Sequence, residues 1–390
     1  MNEDVLIEEG LRDWAQEARV PADLADRALR ARRRRRVGLT GFGAVLVAAA
    51  VTAVVTLVPG ASPERTIVAV APTRAASPAP TTVHSDVEND PPLNLVAAGP
   101  WAVGSYYSTE WADTGRGTET LRYTWSVYSQ AEGRYVRTPF QWLDVLPGMR
   151  QAAVIEGDLP SRRIGVVDLT TMAITRWFDL EEAAGSVFWS PDGSKLVATT
   201  YSAPPDEQKW LDEERTSATG LPKSRTGFYV IDMNAETMTW RPLPPDTDNM
   251  NGREDLRWDD DNTRLWAAKI SGGGRWLYDT EGTPLGAEED YPRRMNEAGV
   301  SPNGRLRAGP AGLPTRITDV ETGEVVGRQR MLQLWAWVDD DHLIGLGCAR
   351  DCDDEFESAL VMVSVDGEET VQLASYRDSR TSWRPVLVRR

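Results

Sequence analysis

The segment WSPDGSKLVA, from Trp189 to Ala198, sets the fold, because it returns three more times in altered form. WDDDNTRLWA runs from Trp258 to Ala267, VSPNGRLRA from Val300 to Ala308, and WVDDDHLIG from Trp337 to Gly345. Each begins on an apolar residue, passes through Asp, Asn, Gly or Pro, and enters an alternating apolar run. That order predicts a strand, a tight turn and the next strand of an antiparallel meander. Pro191 and Pro302 preset turn angles, while Gly193, Asn262 and Gly304 tolerate positive φ.

A second element alternates with the first. It is IGVVDLTTMAITRW from Ile164, FYVIDMNAETMTW from Phe228, WLYDTEGTPL from Trp276 and TRITDVETGEVV from Thr315, with a weaker copy, LVMVSVDGEETVQL, from Leu360. In each, a β-rich run ends at a polar turn and resumes, which predicts a hairpin. Asp168, Asp232, Asp279 and Asp319 all fall at the strand-to-turn junction. A carboxylate there accepts backbone hydrogen bonds, so folding accounts for these four before any chemistry is invoked.

Together the elements make units beginning near 142, 189, 258, 300 and 337, and the one long interval holds the polar insertion SAPPDEQKWLDEERTSATGLPKSR at 202–225. Without most of that loop the period is about forty residues, that of a four-stranded propeller blade. WAVGSYYS at 101 and LRYTWSVYS at 121 supply a further blade. The expected fold is therefore all-β, a β-propeller of about six four-stranded blades, or seven. The strand near Trp383 to Val388 is expected to return to the first blade and close the ring.

This pattern resembles the WD40-like and TolB-like β-propeller families. Trp189-Ser190-Pro191-Asp192-Gly193 matches the family turn motif, Val300-Ser301-Pro302-Asn303-Gly304 is a near match, and the copies at Trp258 and Trp337 are degenerate. The Gly-His and terminal Trp-Asp pairs of intracellular WD40 repeats are absent. The resemblance covers 95–390 as architecture and implies a platform for protein or ligand contact, without specifying one activity.

Upstream, Val37 to Val58 is 22 residues without a charge or a proline. As a helix it spans roughly 33 Å, enough for a bilayer core of about 30 Å. Arg30 and the run Arg32 to Arg36 precede it, and the basic flank stays in the cytoplasm. A cleaved secretory signal is the rival reading, with Ala69-Val70-Ala71 as a processing site, but the apolar segment is long for one. The expected organisation is a cytoplasmic helical segment at 1–36, a single transmembrane helix at 37–58, a Pro/Ala/Ser/Thr-rich linker at 59–94 and an extracytoplasmic propeller at 95–390. Two short amphipathic helices are expected within 5–30, divided near Pro21. They would set topology or dock a cytoplasmic partner, and their layout resembles the leaders of some actinobacterial membrane proteins.

The chain has 390 residues and net charge −16, of which residues 1–36 carry +1. The remaining −17 opposes nucleic-acid and anionic-lipid binding by the outer domain. The only cysteines, Cys348 and Cys352, are expected to form a local disulfide in an oxidising compartment. Asp351, Asp353, Asp354 and Glu355 beside them lack the spacing of a calcium loop. With only His84 and His342, no Ser-His-Asp or Cys-His site is expected. No catalytic, metal or cofactor residue can be assigned. The leading expectation is a membrane-anchored binding or scaffold module, sensory or regulatory in role, with a protein partner at the propeller face. The alternative is a hydrolase or lyase acting on cell-wall carbohydrate through two carboxylates roughly 5 to 10 Å apart.

Overall fold

The computed structural model describes residues 82–212, 218–219, 221–247, 253–269, 274–288, 298–309, 315–349, 359–375 and 383–390. The chain separates into two units between Thr73 and Arg74, and the described residues all belong to the second. The segments expected at 1–36 and 37–58 lie outside the described residues. Among the described residues, no helix is long and apolar enough to cross a membrane.

The first sheet contains β1 (Val83–His84), β2 (Ala97–Ala98), β3 (Trp101–Asp113), β4 (Glu119–Ser129) and β5 (Arg134–Arg137). The second has seven strands: β6 (Phe140–Val145), β7 (Gln151–Glu156), β8 (Ser161–Asp168), β9 (Ala173–Trp189), β10 (Lys195–Tyr201), and then β13 and β14. A two-stranded ribbon, β11 (Lys209–Trp210) with β12 (Ala218–Thr219), interrupts it in sequence before β13 (Arg225–Asp232) and β14 (Thr237–Pro242). Next come a four-stranded sheet of β15 (Arg257–Trp258), β16 (Leu265–Ala268), β17 (Arg275–Tyr278) and β18 (Pro284–Glu288), and a three-stranded sheet of β19 (Leu306–Ala308), β20 (Thr315–Asp319) and β21 (Val325–Gln329). A four-stranded sheet of β22 (Met331–Trp337), β23 (His342–Gly347), β24 (Ala359–Ser364) and β25 (Thr370–Ser375) follows. The chain then ends in β26 (Arg384–Arg389), which joins the first sheet beside β3.

This is a β-propeller, but among the described residues it has four complete blades where the sequence predicts six or seven. Four sheets reach the four strands of a complete blade, and the described residues contain no helix. Two causes separate the sequence count from the structure. β9 continues unbroken for 17 residues, its first part pairing with β8 and its last with β10, so the units beginning near 142 and 189 share one sheet. Among the described residues, the unit beginning near 300 forms a sheet of three strands.

The turn chemistry is as the sequence predicts. Gly193, Asn262 and Gly304 have φ of 72°, 60° and 79°. Ser190 Oγ accepts from Lys195 N at 2.9 Å and meets Asp192 at 2.7 Å; Ser301 repeats this with Leu306 N at 2.9 Å and Asn303 at 2.8 Å. Ser364 makes a third copy, with Glu369 N at 3.0 Å and Asp366 at 2.5 Å, in a hairpin whose sequence resembles the motif only as Ser-Val-Asp-Gly. The four junction aspartates also act as expected: Asp168 accepts from Thr170 N, Asp232 from Asn234 N and Ala235 N, Asp279 from Glu281 N and Thr283 N, and Asp319 from Glu321 N and Thr322 N.

Closure also matches expectation. β26 pairs antiparallel with β3 from Arg384 opposite Tyr107 to Arg389 opposite Trp101. A buried cluster spans the seam, bringing Val103, Tyr106 and Tyr135 against Trp335, Ile344, Leu360 and Trp383. Before the seam, Asp86 accepts from Leu93 N at 2.8 Å and Asn94 N at 2.7 Å, and its own N–H bonds Leu373 O at 2.8 Å. The last dozen residues of the expected linker are thus docked on the first and last sheets. The outer strands β18, β21 and β25 each carry a bulge against their neighbour, which blunts edges that would otherwise template further pairing.

Candidate functional site

Two excursions meet at one end of the strands. β3 and β4 outrun their neighbours as a long hairpin that stays paired out to Asp113 opposite Glu119. The 202–225 insertion leaves the end of β10 and crosses to this hairpin. Glu119 and Gln208 exchange backbone hydrogen bonds, both at 2.8 Å, so the insertion adds briefly to the edge of β4. Trp210 donates to Glu119 Oε2 at 3.1 Å and packs edge-on against Trp111, ring centres 5.1 Å apart. Arg116 pairs with Glu207 at 3.1 Å, and Thr118 bonds the same carboxylate. Leu211, beside Trp210, is 67% exposed.

Beneath the interlock, Arg253 binds three segments. Its Nε and Nη2 make a bidentate pair with Asp206 at 2.9 and 2.5 Å, and Nη1 reaches Asp255 at 3.1 Å and Gly185 O at 3.0 Å. The guanidinium lies 4.5 Å from the ring centre of Trp142. Tyr123 donates to Asp206 at 3.1 Å and Tyr201 to Asp255 at 2.9 Å. Burial alone would lower the Arg253 pKa, but Asp255, Tyr123 and Asp206 outweigh it and hold the guanidinium charged. The bidentate fork on Asp206, with Nη1 shared between the Asp255 oxygens and Gly185 O, is what makes a buried ion pair tolerable.

Deeper still, β6 contributes Asp144 and β15 contributes Arg257. Burial pushes the Asp144 carboxyl up to about 6, against the opposing pull of the Trp189 N–H, 2.8 Å away, and of Arg257. Burial likewise lowers Arg257, which Asp144 partly offsets. Its guanidinium lies 3.8 Å from the ring centre of Phe188.

These groups form a structural hub rather than a reaction centre. The carboxylates that converge, Asp206 and Asp255, are both paired with one arginine. Asp144 is enclosed among core residues. No cluster of three or more metal-ligating side chains occurs among the described residues. His342 opens β23 and bonds Asp339 at 3.0 Å, consistent with a turn role. No cysteine is free among the described residues, and Cys352 and residues 351 and 353–355, on which the expected local disulfide falls, lie outside them.

Sequence reasoning missed the hub because its members are far apart in the chain. A signal did exist: Arg253-Glu254-Asp255-Leu256-Arg257 packs four charges directly before the apolar Trp258 that opens a blade.

The fold and this interlock define a class, a β-propeller carrying a composite loop face. No family model matches the chain and no curated protein matches it, so the β-propeller fold stands without a family.

Proposed function

We propose that the chain is an extracytoplasmic binding or scaffold module whose protein partner docks on the face built by the β3–β4 hairpin and the 202–225 insertion. The propeller fold is consistent with binding, and loops held on a rigid scaffold are where binding residues concentrate. The observation that carries the reading is the interlock of Trp111, Trp210, Arg116 and Glu207 beside the exposed Leu211. Trp and Arg surrounded by polar groups is the composition of an interface centre.

Placement outside the cytoplasm, with residues 37–58 holding the chain at the bilayer and 1–36 inside, rests on the apolar segment and its arginine flank. A cytoplasmic partner for 1–36 would make the module regulatory. A carboxylate-dependent hydrolase or lyase finds no support in the hub, where Arg253 occupies both converging acids.

The test is proximity labelling from the C-terminus of the full chain in its native cell, comparing wild type with Leu211→Asp. Outer-face proteins enriched by wild type and lost by the variant support the proposal. Labels confined to cytoplasmic proteins would overturn the topology, and an identical set from both chains would overturn the docking face.

A further inference from the structure

At the opposite end of the strands, Gln130, Leu146, Arg150, Gln151, Asp168 and Thr170 line an open cavity of about 490 Å³. That is within the roughly 300–1,000 Å³ typical of small-molecule sites. Its walls are fixed by backbone bonds from three segments: Leu169 N to Arg150 O at 2.9 Å, Gln130 N to Leu169 O at 3.1 Å, and Met149 N to Leu146 O at 2.9 Å. The turn that delivers Arg150 is strained. Met149 takes φ of 55° with its side chain buried, a conformation L residues rarely adopt.

The cavity carries one cationic and one anionic side chain, and neither is in an ion pair among the described residues. Asp168 spends Oδ1 on Thr170 N at 2.7 Å, Thr170 Oγ1 at 2.5 Å and Thr171 N at 3.2 Å, which orients the group and leaves Oδ2 open. The same bonds hold its carboxyl below the usual carboxylate range, so it is charged at neutral pH. Gln130 Nε2 is committed to Met149 O at 2.8 Å, which leaves Oε1 as an acceptor. An anion alone would be repelled by Asp168 and a cation alone by Arg150. A ligand bearing both charges, separated by amide groups for the two glutamines, satisfies every group present.

We propose that this cavity binds a short zwitterionic peptide, its carboxylate on Arg150, its ammonium on Asp168 and its amides on Gln130 and Gln151.

Triglycine titrated calorimetrically into the purified full-length chain tests this directly. The expected result is saturable one-to-one binding, weakened at least tenfold by N-acetylation, by C-amidation, by Arg150→Gln and by Asp168→Asn. Asp168→Asn keeps an amide oxygen for the Thr170 turn, and an unchanged unfolding midpoint separates lost binding from lost fold. Absence of saturable heat up to about 10 mM ligand overturns the site. Binding that survives either blocked terminus, or either variant, overturns the zwitterionic assignment.

Discussion

Asp192 donates its backbone N–H to the side-chain oxygen of Asn262 at 3.1 Å, tying the turn of one sequence unit to the turn of the next, 70 residues on. Asn303 and Asp340 repeat the arrangement at 2.9 Å. The motif therefore does two things, closing its own hairpin and clasping its neighbour.

Asn262 combines that bond with a left-handed backbone, φ 60°. Replacement by Gly keeps the backbone freedom and removes the bond, so Asn262→Gly should cost about 0.5–1.5 kcal/mol in urea unfolding. Asn262→Val adds β-branched strain and should cost more than Asn262→Gly. An Asn262→Gly chain as stable as wild type would show that the clasp carries no energy.

Closure makes a sharper demand. A Cβ at Gly104 would lie 2.5 Å from Val388 Cγ1, across the β3–β26 seam. Gly104→Val should destabilise by about 1–3 kcal/mol through overpacking, and pairing it with Val388→Ala should recover part of that loss. A Gly104→Val chain as stable as wild type would place β26 elsewhere.

The Arg253 hub should behave as a buried ion network. Arg253→Met leaves Asp206 and Asp255 without their cation and should cost about 3–5 kcal/mol. Because Asp206 belongs to the insertion, the variant should also raise hydrogen exchange across residues 203–210. Loss of stability without that local exchange would separate the hub from the loop face.

Asp144 gives a pH signature. Its folded pKa of about 6 exceeds its ordinary value of 3.8, so the folded state holds the proton more tightly than the unfolded state. Ionisation therefore costs stability above pH 6, on the order of 3 kcal/mol, and the cost disappears as pH falls from 6 towards 4. Asp144→Asn mimics the protonated form. Its stability relative to wild type should be greatest at pH 7 and should decline by pH 4, as read from denaturant midpoints across that range. A difference that does not vary with pH contradicts the buried, raised carboxyl.

Much of this was legible in sequence wherever structure is local. Ser190 to Lys195 specifies its turn within six residues, and the junction aspartates at 168, 232, 279 and 319 bond amides only two to four positions away. The return of β26 could be foreseen because an open row of blades needs a closing partner. Blade number was not legible, because nothing in AITRWFDLEEAAGSVFW marks whether β9 breaks near Leu180 or runs on. The hub was hidden for a related reason. Asp206 and Arg253 are 47 residues apart, and only the path of the insertion brings them together.

The central claim, that the interlocked loops are the docking face, is tested most directly by a photo-reactive residue placed at Leu211 in the native cell, with a matched probe at Met238 on the exposed outer strand β14. The account predicts a discrete protein adduct from position 211 that is absent from position 238. No adduct from 211, or the same adducts from both positions, would contradict it.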